Sequence, residues 1–295
     1  MSPIGEGRSL LLVHAHPDDE SIFTGGTMAR YVAEGVRVAL VTCTMGERGG
    51  IRESYPDADI RDLVPENEES RLALLAKLRA AEIEAALTKL GVTEHWYLGG
   101  PGRWRDSGAR RDDDSRAFRR ADLDEAAGEL VAVIRQVQPQ VIVTYDENGF
   151  YGHPDHVQAH RVAWRAYQMA CDPLRTKFYA LTIPRSVLAE AISQVPPQPQ
   201  SGAPSRHPST AVLRFGVSDE QVTTEIDAGA YLNAKLAALK AHATQIMVDG
   251  PVFEVDGLVR MRALGTEHYT LLSGPGITSS SSPGQGREED LFCGV

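Results

Sequence analysis

The sequence predicts an α/β protein with a mostly parallel sheet, helices on both faces and a smaller C-terminal α/β extension. Short apolar segments rich in β-branched residues alternate with longer segments whose apolar residues recur at helical spacing. The short segments are almost continuously apolar, which is typical of parallel strands covered on both faces. A chain of 295 residues can bury such a core without disulfides or a structural metal.

The predicted strands are identified by their apolar and β-branched content. They cover residues 9–15, 36–43, 95–98, 141–145 and 177–183. In an open parallel sheet, ligands bind beyond the carboxyl ends of the strands, so the residues that follow these segments are candidates for function.

The predicted helices are identified by capping residues and apolar spacing. The first begins at Pro17-Asp-Asp-Glu20, and the longest runs from Pro65 to Gly91. Two more cover residues 122–138 and 155–171. Ser218-Asp-Glu-Gln221 has the pattern of a capping box and predicts a late helix, which would continue through Leu232, Leu236 and Leu239.

The chain is expected to divide into three parts. Residues 1–175 form the core with the functional site, residues 176–272 complete the sheet and the pocket, and residues 273–295 form a flexible tail. Proline content predicts a flexible loop over residues 196–204, and Ser, Gly and Pro predict the mobile tail.

Composition excludes several classes of protein. The formal charge of −10 argues against a nucleic-acid partner, which rewards clustered Lys and Arg. No apolar run approaches the ~20 residues of a membrane span, and the run at residues 10–13 is too short for a signal-peptide core. Three cysteines far apart indicate a reducing compartment, so we expect a cytoplasmic protein without a membrane partner. The sequence leaves the oligomeric state open.

Two polar clusters, each containing His-Pro-Asp, follow predicted strands. The first is Ala15-His-Pro-Asp-Asp-Glu20, and the second runs from Tyr145 to His156. A catalytic zinc ion takes three His, Asp or Glu ligands and leaves one position for water. His16, Asp19 and His156 are the candidate ligands. Zn²⁺ is the expected ion, with Fe²⁺ as an alternative because these ligands suit both.

The remaining polar residues of the clusters have candidate roles in hydrolysis. Asp18 is left free as a general base. Tyr151 and His153 are candidate donors to an oxyanion or a leaving group. The alternative is purely structural, because acidic residues at a helix start satisfy backbone N–H groups and complement the helix dipole. His160 is a competing metal ligand, four residues after His156.

Arg79 and the stretch at residues 99–108 are further candidates. Arg79 lies within the apolar stripe of the long helix, so it must find a carboxylate or a ligand, and an ion pair with Glu82 is the structural alternative. Gly102-Arg-Trp-Arg-Asp-Ser-Gly108 suits a hydroxyl-rich ligand, although a surface loop held by Arg–Asp pairs would have the same composition.

These motifs resemble the zinc-dependent N-acetylglucosaminyl deacetylase family. The resemblance rests on Ala15-His-Pro-Asp-Asp-Glu20 with His153-Pro-Asp-His156. Gly102-Arg-Trp-Arg-Asp-Ser-Gly108, Tyr145-Asp-Glu-Asn-Gly149 and Ala241-His-Ala-Thr-Gln245 are similar to its mycothiol-biosynthesis branch. The resemblance implies a Rossmann-like fold and removal of acetyl from a small amino-sugar substrate, 1-O-(2-acetamido-2-deoxy-glucopyranosyl)-myo-inositol.

The resemblance also implies roles for individual residues. Zinc lies on His16, Asp19 and His156 with Asp18 as base, and Tyr151 and His153 act at the oxyanion and the leaving amine. Asp155 tunes His153, and the residues that contact the sugar are Arg79 and Asp106. The sequence departs from the family at Gly50, where an acidic residue is expected.

Other functions remain as alternatives. An amidase of the same fold that cleaves mycothiol S-conjugates would share the metal ligands, and a non-catalytic protein could bind metal and sugar. A dinucleotide-binding module and a serine hydrolase are disfavoured, because the sequence lacks a Gly-x-Gly-x-x-Gly after its first strand and a Gly-x-Ser-x-Gly.

Overall fold

A computed structural model describes residues 7–57, 60, 67–108, 114–195, 213, 215–255, 259–276 and 286–295. The expected start of the long helix at Pro65 and the proline-rich stretch 196–204 lie outside these ranges.

The strands form a seven-stranded sheet and a three-stranded sheet. The large sheet has the order β3-β2-β1-β4-β5-β10-β6, in which β3 to β5 are parallel and β10 is antiparallel to both its neighbours. Its strands are β1 (Ser9–His14), β2 (Arg37–Thr42), β3 (Glu94–Tyr97), β4 (Val141–Thr144), β5 (Lys177–Thr182), β6 (Thr224–Asp227) and β10 (Thr266–Ser273). The antiparallel small sheet contains β7 (Ile246–Asp249), β8 (Val252–Val255) and β9 (Val259–Arg262).

Helices pack on the large sheet in two groups. One group contains α2, α3 and α7, and the other contains α4 and α5. Among the described residues, the α-helices of five or more residues are α1 (Asp19–Phe23), α2 (Gly25–Ala33), α3 (Glu68–Leu90), α4 (Leu123–Val137), α5 (Pro154–Ala170), α6 (Arg185–Ser193) and α7 (Leu232–Ala241). The predicted α/β class, with a mostly parallel sheet flanked by helices, is confirmed.

The order of the strands places the functional site. From β1 the chain adds β2 and β3 on one side of the sheet, then returns to add β4 and β5 on the other side. The boundary between β1 and β4 is therefore a topological switch point, where the loops after the two strands separate and leave a crevice. All residues of β1 and β4 are buried, so these loops begin from a fixed core.

The late helix predicted from Ser218 is wrong at its start. Ser218 does form a capping box, but it opens a single 3₁₀ turn, Asp219–Gln221. The chain then becomes extended because β6 pairs with β10 at the edge of the sheet. The helix that contains Leu232, Leu236 and Leu239 is α7, which begins separately.

The flexible tail predicted for residues 273–295 is wrong for residues 286–295. Leu291 and Phe292 are buried in the main core. Lys177 Nζ donates to Glu288 Oε2 at 2.8 Å, and the hydroxyl of Tyr31 donates to Asp290 Oδ1 at 2.9 Å. One apolar pair and two polar anchors thus fix this segment against β5 and α2. Ser273 belongs to β10, and residues 277–285 lie outside the described ranges.

Within the described part of the chain, every helix is too short or too polar to cross a bilayer. Cys43, Cys171 and Cys293 carry free thiols.

Candidate metal centre

The two His-Pro-Asp segments meet at the switch point, as the sequence predicts. Oδ2 of Asp19 lies 3.3 Å from Nδ1 of His16 and 3.4 Å from Nε2 of His156. All three residues are buried. Tyr145 fixes this arrangement, because its hydroxyl donates to Asp19 Oδ2 at 2.7 Å and its ring stacks on His156 at 4.1 Å.

The donor atoms of this cluster suit a metal ion. Neither ring nitrogen of the fully buried His156 has a hydrogen-bond partner among the described residues, and buried polar groups are rarely left so. His16, His153 and His156 present ring nitrogens within 4.8 Å of one another, and His16, Asp106, His153 and Asp155 form a second such group. These residues could hold a divalent cation; the set expected from the sequence shares His16 and His156 with the first group.

The electrostatics around His16 favour a positive charge. Burial acts to lower the pKa of His16, but Asp106, Asp155 and Asp19 together raise it well above its ordinary value. For Asp19, burial is outweighed by His156 and His16, which hold its pKa well below the usual range. The pocket therefore stabilises a cation between these carboxylates, whether a proton or a metal ion.

Asp18 is held beside this cluster in a strained conformation. Its φ is 117°, a region that residues other than glycine rarely adopt. Nη2 of Arg79 donates to Asp18 Oδ2 at 3.0 Å. Burial raises the pKa of Asp18 to about 7, although Arg79 acts in the opposite direction.

Arg79 is buried, and its guanidinium group donates hydrogen bonds to the loops that follow β1 and β2. Its Nη1 donates to Gly46 O at 2.6 Å, and its Nη2 donates to the carbonyl of Pro17 as well as to Asp18. The alternative pairing with Glu82 is wrong, because Glu82 accepts instead from the backbone N–H and hydroxyl of Thr244. Arg79 also lines the pocket, so the expected contact with a sugar stays a prediction.

Tyr151 and His153 lie on the other side of the cluster. Tyr151 follows Phe150, whose φ is 61°, and its ring lies 5.0 Å from that of His156. Burial raises the pKa of Tyr151, so its hydroxyl stays protonated. Nδ1 of His153 accepts the backbone N–H of Asp155 at 3.2 Å, which caps α5. Burial, His16 and His156 lower the pKa of His153 to about 3.

The expected tuning of His153 by Asp155 stays a prediction, and the carboxylate of Asp155 forms its hydrogen bonds elsewhere. Oδ2 of Asp155 lies 3.2 Å from Nε2 of His16 and accepts the backbone N–H of Ser107 at 2.8 Å. Asp155 is at the second position of α5, and from there its side chain reaches the loop after β1 instead of turning back to His153.

Residues 103–108 have features of both structures that their sequence allowed, a ligand-binding segment and a surface loop held by ion pairs. Asp106 lines the pocket, but Arg103 and Trp104 bind Glu129, and Arg105 binds Glu69. The arginines and tryptophan therefore hold the loop, and Asp106 alone among these four residues lines the pocket.

The other candidate histidines lie outside the cluster. Nδ1 of His160 lies 2.8 Å from the carbonyl oxygen of Tyr145, and its ring packs near Phe178. The competing assignment of His160 as a ligand therefore has no support in the geometry. His14 is buried at the end of β1, with Nε2 at 2.9 Å from the hydroxyl oxygen of Thr24.

The sequence did not identify a buried pair behind Asp18. Oε1 of Glu20 lies 2.7 Å from Nε2 of His242, and both side chains are fully buried. Oε2 of Glu20 accepts the backbone N–H of Asp18 at 2.9 Å, which supports the strained residue. The sequence signals for His242 were its place in Ala241-His-Ala-Thr-Gln245, to which the resemblance gave no role, and its position directly after the apolar pattern of α7.

The cluster lies at the polar end of a cavity of about 460 Å³. Arg48, Asp106 and Gln245 extend the polar end, and Gln245 donates to Gly50 O at 2.6 Å. Apolar side chains also line the cavity, and we call the following set the apolar arm: Ile22, Phe23, Ile183, Leu188, Phe215, Phe253, Val255, Val259, Met261 and Leu264. The small sheet supplies four of these residues.

Comparison with known proteins places this geometry in a family. Residues 11–167 match the family described as PIG-L, GlcNAc-PI de-N-acetylase. Curated proteins named 1D-myo-inositol 2-acetamido-2-deoxy-α-D-glucopyranoside deacetylase are similar over nearly their full length. The protein of Thermomonospora curvata is 49% identical over 98% of this chain and 97% of its own, and that of Acidothermus cellulolyticus is 50% identical over 98% and 95%.

Solved structures with similar folds include enzymes of more than one activity. The N,N′-diacetylchitobiose deacetylase of Pyrococcus horikoshii has a TM-score of 0.50 at 20% identity, covering 83% of this chain and 73% of its own. The 4-carboxy-2-hydroxymuconate hydratase of Pseudomonas putida has a TM-score of 0.53 at 19% identity, covering 93% and 100%. At such identities the likeness shows the fold alone.

The family match covers more than half of the chain, and the relatives named above are about half identical to it along nearly its whole length. The chain therefore belongs to the PIG-L family of de-N-acetylases.

Proposed function

We propose that this protein hydrolyses the N-acetyl group of 1-O-(2-acetamido-2-deoxy-glucopyranosyl)-myo-inositol, giving acetate and the free amine, a step of mycothiol biosynthesis. The observation that carries the proposal is the convergence of His16, Asp19 and His156 beside Asp18. The names of relatives that are about half identical to this chain support the same substrate.

His16, Asp19 and His156 are the residues that would hold the metal, and zinc is the ion we propose. The buried nitrogens of His156 that lack a partner among the described residues support this ligand set. When bound, zinc acts as a Lewis acid and lowers the pKa of a coordinated water to about 7.

Asp18 acts as the general base in this proposal. Arg79 occupies Oδ2 of Asp18, so Oδ1 accepts the proton from the attacking water. The strained backbone and the Glu20 carboxylate below it keep the carboxyl group in place. Such strain costs about 1–3 kcal/mol and persists only where surrounding contacts impose it.

Tyr151 and His153 bind the reacting amide. The hydroxyl of Tyr151 donates to the oxyanion that forms on attack. Because Nδ1 of His153 accepts the N–H of Asp155, the ring proton lies on Nε2, which donates a hydrogen bond to the leaving nitrogen. A doubly protonated His153 would set two N–H groups against each other, so Asp18 is the residue that returns the proton to the amine.

The polar end of the cavity binds the hydroxyls of the substrate. Asp106 is the proposed acceptor, because its carboxylate lines the cavity. Gly50 stands at the position where the resemblance leads us to expect an acidic residue. Open space surrounds the place of its missing Cβ, so position 50 supplies no carboxylate to bind the substrate hydroxyls.

The proposal is tested by acetate release from the inositol-linked substrate before and after removal of metal by a chelator. We expect the metal-free protein to be inactive and Zn²⁺ to restore turnover. Full activity after verified metal removal would exclude this mechanism, and zinc binding without acetate release would indicate a non-catalytic metal-binding protein.

The apolar arm favours a second activity at the same site, the cleavage of mycothiol S-conjugates. Ten apolar side chains facing a cavity that also holds Asp106 would accept the apolar group of such a conjugate. Replacing the half-buried Val259 by Thr keeps its volume and adds a hydroxyl to the arm, so it should lower kcat/KM for an apolar conjugate and leave that for the acetylated substrate nearly unchanged. Equal losses for both substrates would argue against this use of the arm.

A further inference from the structure

Three buried residues form a chain of hydrogen bonds that ends at the metal centre. Ser107 donates from its backbone N–H to Oδ2 of Asp155 at 2.8 Å and from its hydroxyl to Oδ1 of the same carboxylate. Asp155 Oδ2 in turn lies 3.2 Å from Nε2 of His16. Ser107 and Asp155 are at most 1% exposed, so water does not replace these contacts.

This chain of contacts determines which nitrogen of His16 carries a proton. An ionised carboxylate only accepts hydrogen bonds, so Nε2 of His16 must be the donor to Asp155. Both oxygens of Asp155 accept hydrogen bonds from Ser107, which agrees with an ionised carboxylate. Nδ1, which faces Asp19 Oδ2 at 3.3 Å, is then the nitrogen whose lone pair is available to a metal.

Ser107 determines the orientation of the carboxylate. It binds both oxygens of Asp155, so the plane of the carboxylate cannot rotate without breaking one of two bonds. The hydroxyl oxygen of Ser107 also accepts the backbone N–H of Arg119 at 3.2 Å, which leaves its own proton for Asp155. Outer residues that orient a ligating histidine in this way typically change metal affinity 10–100-fold when they are replaced.

We propose that Ser107 is a positioning residue of the metal centre, which acts through Asp155 to fix the ring and the tautomer of His16. The inference rests on the proposed function, since it requires His16 to be a metal ligand. It also connects metal binding with substrate binding, because Ser107 directly follows Asp106, which lines the cavity and is the proposed acceptor for the substrate hydroxyls.

The test measures zinc affinity by competition with a chelator of known affinity. Ser107→Ala should weaken Zn²⁺ binding about 10–100-fold, and excess zinc should restore most of kcat. The matched control is Ser9→Ala, a buried serine whose hydroxyl donates to Val137 O at 3.2 Å at the far end of β1. This control should bind zinc like the unchanged protein.

A second pair of variants separates the hydroxyl from general damage to the fold. Ser107→Thr and Ser107→Val have similar volumes and differ in one hydroxyl, so any steric disturbance is shared. We expect the threonine variant to bind zinc at least about tenfold more tightly than the valine variant, because the hydroxyl alone should account for the 10–100-fold effect. Equal affinities of these two variants, or unchanged affinity in Ser107→Ala, would overturn the proposal.

The unchanged protein distinguishes failure of this inference from failure of the proposed function. If it binds no zinc, or binds zinc without releasing acetate, the proposed function fails. If it binds zinc and is active while the Ser107 variants bind equally well, only the role of Ser107 is refuted.

Discussion

The tripeptide His-Pro-Asp occurs twice in the chain, at residues 16–18 and 153–155, and the two copies differ in conformation and in contacts. In the first copy the aspartate is the N-cap of α1 with a φ of 117°. In the second copy the histidine is the N-cap of α5, with the proline in its first turn. The helix thus begins two residues earlier, relative to the tripeptide, in the second copy.

This shift gives identical residues different tasks. Asp18 faces the cavity and binds Arg79, whereas Asp155 is fully buried and lies against the histidine of the other copy. His16 lies among three carboxylates, whereas His153 accepts a backbone N–H and its pKa is lowered to about 3. A motif therefore identifies the site, but the surrounding contacts assign the roles.

The difference is tested most sharply by replacing the aspartate of each copy with asparagine, beginning with the first copy. Asp18→Asn keeps the shape of the side chain and removes the proton acceptor, so we expect kcat to fall by about 10²–10⁴-fold while zinc remains bound. Acetate release at saturating zinc and the metal content of the protein check both parts. Near-normal kcat would remove Asp18 as the base.

The hydroxyl beside the second copy should have the next largest effect. Tyr151→Phe removes one donor to the oxyanion, which typically costs about 10²–10³-fold in kcat. Tyr167→Phe is the matched control, because that hydroxyl donates to Thr176 O away from the site. If the two variants are equally active, Tyr151 has no part in the reaction.

Asp155→Asn applies the substitution of Asp18 to the second copy and should have a different result. An amide in place of the carboxylate meets donors from both His16 and Ser107 and cannot accept from all of them, so zinc affinity should fall about 10–100-fold. At saturating zinc most of kcat should return. Chelator competition and kinetics with added zinc measure the two quantities, and a loss of kcat that zinc does not restore would make the two aspartates equivalent.

The smallest effect is expected from the residue that holds the first copy. Arg79→Lys keeps the charge, but one ammonium cannot bind Gly46 O, Pro17 O and Asp18 in the geometry of the guanidinium. Loss of about one net hydrogen bond, near 1.4 kcal/mol, corresponds to roughly tenfold in kcat. Arg103→Lys on the surface is the control and should be close to the unchanged protein in the same assay.

The sequence was sufficient for the fold and for the meeting of the two copies because both follow from short-range patterns and one topological rule. Apolar strands alternating with helices predict the parallel sheet, and loops after neighbouring strands must share an edge. His16, Asp19 and His156 could therefore be grouped without knowledge of any contact.

The contacts of single side chains could not be predicted in this way. That Asp155 turns to His16 depends on where α5 meets the loop after β1, and the role of Ser107 depends on Asp155. The content of Ser, Gly and Pro near the C-terminus led to the prediction of a flexible tail. The two large apolar residues at its end, Leu291 and Phe292, indicated packing and are buried in the main core. The apolar arm comes partly from β8 and β9, which are too short for a periodic pattern.

The proposed ligands His16 and His156 are far apart in the sequence and meet only where β1 and β4 pair in the large sheet. An unfolded chain would have to close a long loop to offer both, so the proposed zinc ion would bind the native state in preference to the denatured ensemble. Such selective binding adds about 2.7 kcal/mol to the unfolding free energy when free zinc is 100 times its Kd. The melting temperature of the protein then rises with the logarithm of the zinc concentration and reports occupancy without any substrate.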